Sequence, residues 1–123
     1  MLWLVAAVAA GVLGAAPPAL AKEGDVIAEG PCSGQRDWKL KLSPENGAIE
    51  VEFEVDQKVI GDRWQVSLAD NGTVFFSGRR ITKAPSGSFE VRRIITDAAG
   101  PDNVTGTATN LRTGETCQAA ATF

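Results

Sequence analysis

The 123-residue chain contains no histidine and no tyrosine, and it has only two cysteines. Without histidine, a serine or cysteine nucleophile lacks its usual general base, and an ordinary zinc site lacks its ligand set. Lysine and arginine number 12 against 15 aspartates and glutamates, a formal net charge of −3, with both signs interspersed. This balance argues against nucleic acid as a partner.

The N-terminal segment is equally poor in charge. Residues 1–21 contain no charged residue and end in Ala19-Leu20-Ala21, a small-x-small pattern after which signal peptidase cuts. We interpret residues 1–21 as a signal peptide and residues 22–123 as a single mature domain, which predicts a secreted, extracellular protein. A retained membrane anchor is the alternative, because the apolar run approaches the roughly 20 residues that span a bilayer. Pro17 and Pro18 beside the small-residue site favour cleavage, and no membrane insertion is then expected.

The two cysteines lie near the two ends of the mature part. An exported chain with an even cysteine count is expected to pair them, here Cys32 with Cys117. In the chain-entropy model a bridge that closes most of the domain stabilises it by roughly 4 to 5 kcal/mol.

From Cys32 onward, apolar and polar residues alternate with a period of two, which indicates β-strands. The stretch AIEVEFEV, residues 48–55, places Glu50, Glu52 and Glu54 between apolar side chains, and residues 38–42 alternate in the same way. With a turn at Asn46-Gly47, or over all of residues 44–47, paired residue numbers sum to an odd value. The two lysines of residues 38–42 then oppose two of the glutamates, so we interpret the glutamate row as the solvent face of a half-buried strand.

The same alternation continues to the end of the chain. Turn signals occur at Asp70-Asn71-Gly72, and over residues 85–88, 100–103 and 113–114. Seven or eight short strands predict an all-β, antiparallel β-sandwich of immunoglobulin or fibronectin type III character, with a small closed barrel as the alternative. Cys117 lies on the inward face of the last strand, so the first and last strands are expected to be neighbours. This spacing differs from that of the antibody disulfide.

Enzymatic activity is not predicted. Two carboxylates of the glutamate row could serve a glycoside hydrolase, because same-face neighbours on a strand lie about 6.5–7 Å apart. Nothing in the sequence raises a pKa in the row, however, and lysines oppose it. Aspartates and asparagines of the loops around 70–71 and 97–103 are of the type that calcium takes, but turns require the same residues. No catalytic residue, metal or cofactor is therefore predicted.

One segment is rich in arginine. GRRITKAPSGSFEVRR places five basic residues on two strands joined by one turn: Arg79, Arg80, Lys83, Arg92 and Arg93. They could form a basic ribbon for an anionic partner such as a wall polymer or acidic glycan. The alternative, favoured by the negative net charge, is that they are ordinary surface residues opposite Glu90 and the glutamate row. Phe75, out of phase with its apolar neighbours, is expected to be exposed.

The mature chain also resembles a known group. GPCSGQRDWKLKLSPENGAIEVEFEVD, DRWQVSL, PSGSFEVRR and NLRTGETCQAAATF together resemble small exported proteins of actinobacteria, over essentially the whole mature chain. That group has no assigned activity, so the resemblance implies export, an immunoglobulin-like sandwich and a structural disulfide, but no catalytic residues. We expect a non-enzymatic binding or adhesion module with an extracellular or cell-envelope partner. A secreted hydrolase or lytic factor that uses the glutamate row is the alternative.

Overall fold

The computed structural model describes residues 24–123, and within that range it contains eight β-strands and no helix. The strands, in chain order, are β1 Val26–Pro31, β2 Asp37–Glu45, β3 Ala48–Asp56, β4 Arg63–Asp70, β5 Thr73–Ile81, β6 Ser88–Thr96, β7 Asn103–Asn110 and β8 Thr116–Thr122. The part of the chain so described therefore has no helix that could serve as a membrane span. The predicted signal peptide, residues 1–21, lies outside the described residues.

The strands form two separate four-stranded antiparallel sheets, so the sandwich prediction is confirmed and the closed barrel is wrong. Sheet 1 has the order β1-β2-β3-β6, and sheet 2 has the order β5-β4-β7-β8. If β2 to β8 are named A, B, C, C′, E, F and G, the neighbours A-B-E and C′-C-F-G are those of an immunoglobulin-type Greek key. Strand β1 is an additional edge strand beside A.

The β2–β3 hairpin has the predicted register. Lys41 pairs with Glu52 and Lys39 pairs with Glu54, so the residue numbers sum to an odd value as expected. Its turn consists of Asn46 and Gly47, whose φ angles are 49° and 83°. Positive φ at both turn residues defines a type I′ turn, whose twist matches that of the flanking strands.

Side chains between the two sheets form one core. Trp64 on β4 is fully buried, with its ring centroid 5.9 Å from that of Phe89, and its Nε1 donates a hydrogen bond to Gln57 Oε1 at 3.0 Å. This is the strand C position that a buried tryptophan occupies in immunoglobulin domains. The disulfide lies elsewhere, because Cys32 in the β1–β2 loop bonds Cys117 on β8. Pairing of the cysteines and proximity of the first and last strands are confirmed.

The loops fall into two groups at opposite ends of the sandwich. The disulfide pole comprises the connections 32–36, 57–62, 82–87 and 111–115. The hairpin pole comprises the Asn-Gly turns at 46–47 and 71–72, the connection 97–102, and the C-terminal Phe123, whose backbone pairs with Asp102.

A β-bulge interrupts the pairing of β4 with β5. Leu68 pairs with Phe76, but Ala69 pairs with Val74, which leaves Phe75 as the additional residue. Phe75 and Phe76 are both half-buried against the core, whereas Val74 is 57% exposed. The expectation of an exposed Phe75 is wrong, because strict alternation does not anticipate the phase change at a bulge.

Candidate anion-binding edge

Strands β5 and β6 are outer strands of different sheets, and they face each other along one long side of the sandwich. The opposite long side is closed by β8, which packs against β1 and β2. The five basic residues singled out in the sequence therefore lie on two sheets rather than on one hairpin. Three of them belong to this open side, which we call the basic edge: Arg80, Lys83 and Arg93. Arg79 lies on the outer face of sheet 2, where its Nε donates to Gln65 Oε1 at 3.5 Å.

Phe76 is the centre of the basic edge. The guanidinium carbon of Arg80 lies 4.8 Å from the ring centroid, and that of Arg93 lies 4.5 Å from it. The ring also leans over Gly78, where an added Cβ would come within 3.1 Å of it. One aromatic ring thus holds two cations, one from each sheet, through its π face.

Backbone carbonyls hold the same two guanidinium groups in place. Arg80 Nη1 donates to the carbonyl oxygen of Arg79 at 2.8 Å, and Arg93 Nη1 donates to that of Arg92 at 2.7 Å. Each contact uses one of the five N–H donors of a guanidinium. The other donors of these cations remain available to an anion.

Among residues 24–123, no carboxylate forms an ion pair with the basic edge, although Glu90 borders the same shallow cavity as Arg80 and Lys83. Ion pairs found within residues 24–123 are Lys41–Asp25, Arg92–Glu50, Arg92–Glu52 and Arg112–Asp62. None of these pairs includes a residue of the basic edge. Several cations held together without counter-charge attract anions and repel one another, so a bound anion would relieve that repulsion.

Arg92 behaves differently from its neighbour Arg93. Its side chain lies on the outer face of sheet 1, where Nε is 3.5 Å from Glu50 and Nη2 is 3.7 Å from Glu52. The predicted set of five basic residues is therefore split by the alternation of side chains along β6. Arg92 neutralises the glutamate row, and Arg93 points into the open side.

The glutamate row lies on the outer face of sheet 1, as predicted, but its carboxylates are not fully exposed. Glu52 retains 18% of its side-chain exposure. Burial raises the pKa of Glu52, and the nearby Glu90 adds to that rise, whereas Lys41 and Arg92 oppose it. The expectation that nothing raises a pKa in this row is wrong for Glu52, because its neighbours cover the strand.

An open groove of about 520 Å³ lies on the same face, toward the disulfide pole. Lys39 and four carboxylates border this groove. The carboxylates are those of Glu29, Asp37, Glu54 and Asp56. Within residues 24–123, no group of three or more acidic, cysteine or histidine residues is arranged to hold a metal ion.

A buried polar network at the disulfide pole was not anticipated from the sequence. Asp62, 8% exposed, accepts hydrogen bonds from Gln57 at 2.6 Å, from Asn110 at 3.1 Å, and from Arg112 at 2.9 and 2.7 Å. These bonds, led by that of Arg112, hold the pKa of Asp62 well below its ordinary value. The network joins the loops 57–62 and 111–115 with the end of β7, and it contains no sequence motif, because its members come from distant parts of the chain.

The loops considered for calcium meet at the hairpin pole. Asn71 Oδ1 accepts from the Asn103 backbone at 2.8 Å, and Asn71 Nδ2 donates to the Pro101 carbonyl at 3.2 Å. Burial raises the pKa of Asp70 to about 6, and a hydrogen bond and charge from Asp102 add to it. The side chain of Asn71 thus joins the two loops.

Eight strands in two antiparallel sheets, with one disulfide, define an immunoglobulin-like β-sandwich. The chain matches no protein-family model, no curated protein and no solved structure.

Proposed function

We propose that this protein is a non-enzymatic extracellular binding module whose basic edge binds an anionic polymer. The observation that carries the proposal is the pair of guanidinium groups held on Phe76, which form no ion pair with any carboxylate of residues 24–123. Guanidinium groups bind carboxylate, sulfate and phosphate through several hydrogen bonds at once. A rigid sandwich that presents them on an open side is suited to binding rather than to turnover.

Export is part of the same proposal. A structural disulfide is typical of proteins outside the cytoplasm, and Cys32–Cys117 joins the two sheets of this domain. With the signal-peptide pattern of residues 1–21, this supports a secreted protein that meets its partner outside the cell or in the cell envelope. Membership of the group of small exported actinobacterial proteins is likewise a proposal, supported by the segments that resemble them.

The basic edge can be tested by comparing two neighbouring arginines. Arg93→Gln and Arg92→Gln change the net charge equally, on the same strand, but on opposite faces. We expect Arg93→Gln to weaken binding to immobilised polygalacturonate and to polyphosphate by about fivefold, the effect of roughly 1 kcal/mol per basic residue near an anionic surface. Arg92→Gln should leave binding nearly unchanged.

Further variants separate charge from packing. Arg93→Lys keeps the charge and should retain most of the binding, whereas the pair Arg80→Gln with Arg93→Gln should lose more than either alone. Binding should also weaken as salt rises, because mobile ions screen the contact. Equal losses in Arg92→Gln and Arg93→Gln, or no binding to either polymer, would overturn the proposal.

The competing function is a hydrolase that uses the glutamate row. The raised pKa of Glu52 favours it, because a general acid must hold its proton near neutral pH. Against it, the row lies along a strand and is engaged by Arg92. Replacing Glu50, Glu52 and Glu54 together by glutamine should leave polymer binding intact, while loss of a polymer-cleaving activity on that change would favour the hydrolase.

A further inference from the structure

The outer face of sheet 2 contains no aspartate and no glutamate. The register places these residues on it, strand by strand: Val74, Ser77, Arg79, Ile81 on β5; Arg63, Gln65, Ser67, Ala69 on β4; Asn103, Thr105, Thr107, Thr109 on β7; and Thr116, Gln118, Ala120, Thr122 on β8. Most carry a hydroxyl or an amide, and the charged members are two arginines.

Strand composition does not account for this. Threonine is favoured in strands and glutamate is less so, yet the outward positions of sheet 1 carry Glu29, Glu50, Glu52, Glu54 and Glu90. The same chain therefore accepts carboxylates on one outer face and has none on the other. Surfaces that serve only solubility usually mix both signs.

The outer face of sheet 2, which we call the hydroxyl face, is continuous with the basic edge. One cross-strand row begins at Arg79 and continues through Gln65, Thr109 and Thr116. Four neighbouring strands span about 14 Å at the usual strand spacing. The next row, Ser77, Ser67, Thr107 and Gln118, runs parallel to it.

The central hydroxyls of this face are available to a ligand, whereas that of Thr122 donates to Asn103 Oδ1 at 2.9 Å. Within residues 24–123, the side chains of Thr105, Thr107 and Thr109 make no hydrogen bond. A hydroxyl both donates and accepts, so a row of them complements the hydroxyls of a sugar chain. The absence of carboxylates lets an acidic chain approach without repulsion.

We propose that the partner is an acidic polysaccharide that binds across the outer face of sheet 2, with its acidic groups at the basic edge. This inference rests on the proposed function and narrows it, because guanidinium groups alone would accept any polyanion. The sugar hydroxyls would contact the serine, threonine and glutamine rows. Arg79, on the outer face of the edge strand β5, follows Phe76 and precedes Arg80 in the chain, so it lies where the two surfaces meet.

The test uses a matched pair of nearly isosteric changes in the disulfide-intact protein. Gln118→Glu adds one negative charge to the hydroxyl face, and Gln35→Glu adds one in the β1–β2 loop at the disulfide pole. Both positions are exposed. We expect Gln118→Glu to weaken binding to polygalacturonate about threefold to fivefold, and Gln35→Glu to have little effect. With polyphosphate, which has no hydroxyls along its chain, the two variants should differ little.

Each other result has a defined meaning. If Arg93→Gln loses binding while Gln118→Glu and Gln35→Glu bind polygalacturonate equally, the basic edge is a binding site and the hydroxyl face is not part of it. If no variant or wild-type protein binds either polymer, the proposed function itself fails. If the protein dimerises with rising concentration and Gln118→Glu abolishes the dimer, the hydroxyl face binds a second copy of the chain. That result would overturn the proposal that it binds a polysaccharide.

Discussion

The two poles of the sandwich hold the same type of residue in opposite electrostatic states. At the disulfide pole, Asp62 accepts hydrogen bonds from a guanidinium and two amides, and its pKa is lowered. At the hairpin pole, Asp70 is covered by the fold and faces the carboxyl of Asp102, and its pKa is raised to about 6. The partner, and not the residue type, decides whether a partly buried aspartate stabilises the fold.

The poles are also held together differently. The disulfide pole has a covalent bond and a network that connects the loops 57–62 and 111–115. The hairpin pole has two tight Asn-Gly turns and the asparagine contacts between its loops. We therefore expect changes at the disulfide pole to cost more stability, and the following variants test that difference in order of expected effect.

Removal of the disulfide should have the largest effect. The bond spans 85 residues in sequence, so the chain-entropy model gives a loss of about 4.5 kcal/mol. Urea denaturation of the Cys32→Ala with Cys117→Ala variant, against the oxidised wild type, measures it. A loss below about 1 kcal/mol would show that noncovalent contacts alone close this pole.

Asp62→Ala should cost about 3 kcal/mol, because it leaves the amides of Gln57 and Asn110 buried without an acceptor. The lowered pKa of Asp62 also makes the stability of the fold depend on pH. The folded protein holds the carboxylate more strongly than the unfolded chain, so this stability is present above the ordinary pKa of 3.8 and is lost as pH falls below it. Acid unfolding of wild type and variant, followed by fluorescence, measures how much of the loss of stability at low pH is due to Asp62. If the variant lost stability with falling pH as steeply as the wild type, the lowered pKa of Asp62 would not be its cause.

Two glycines with positive φ distinguish backbone strain from crowding. At Gly87, in the disulfide pole, an added Cβ would lie 2.5 Å from the backbone nitrogen of Val59, whereas at Gly72, in the hairpin pole, it would meet nothing within 4 Å. Gly72→Ala should lower the free energy of unfolding by about 1 kcal/mol, which is the cost of the left-handed conformation for a residue with a Cβ. Gly87→Ala should cost about 2–3 kcal/mol, because the loop of Lys58 must move as well. Thermal unfolding of the two variants measures the difference. Equal losses of stability would show that crowding at Gly87 does not destabilise the fold.

Asp70→Asn comes last because it should raise stability rather than lower it. The folded pKa is raised from 3.8 to about 6, so the associated stability is present below 3.8 and is lost as pH rises through 6. At pH 7 the variant should therefore be more stable than wild type by about 1–2 kcal/mol after solvent screening. Denaturation at pH 4 and pH 7 tests this, since the gain should be nearly absent at pH 4. If the variant were less stable than wild type at pH 7, the charge of Asp70 would not be unfavourable at the hairpin pole.

Much of the fold could be predicted because its signals are local. Alternation in AIEVEFEV and the Asn46-Gly47 turn together defined the β2–β3 register, including the pairing of Lys41 with Glu52. The site was predicted less well. Arg92 and Arg93 looked equivalent in sequence, but one neutralises Glu50 and the other contacts Phe76. The bulge at Phe75 changes the phase of β5, and alternation gives no sign of it.

The amino-acid sequence by itself determined the all-β class, the positions of the turns, the half-buried strands and the pairing of the only two cysteines, since these depend on period, turn residues and counting. Tertiary structure alone decided which sheet each strand joins, and therefore which charges meet. Phe76 receives cations from both sheets, and Asp62 receives donors from loops up to 50 residues away. Such contacts depend on distance in space, and neither periodicity nor spacing along the chain encodes that distance.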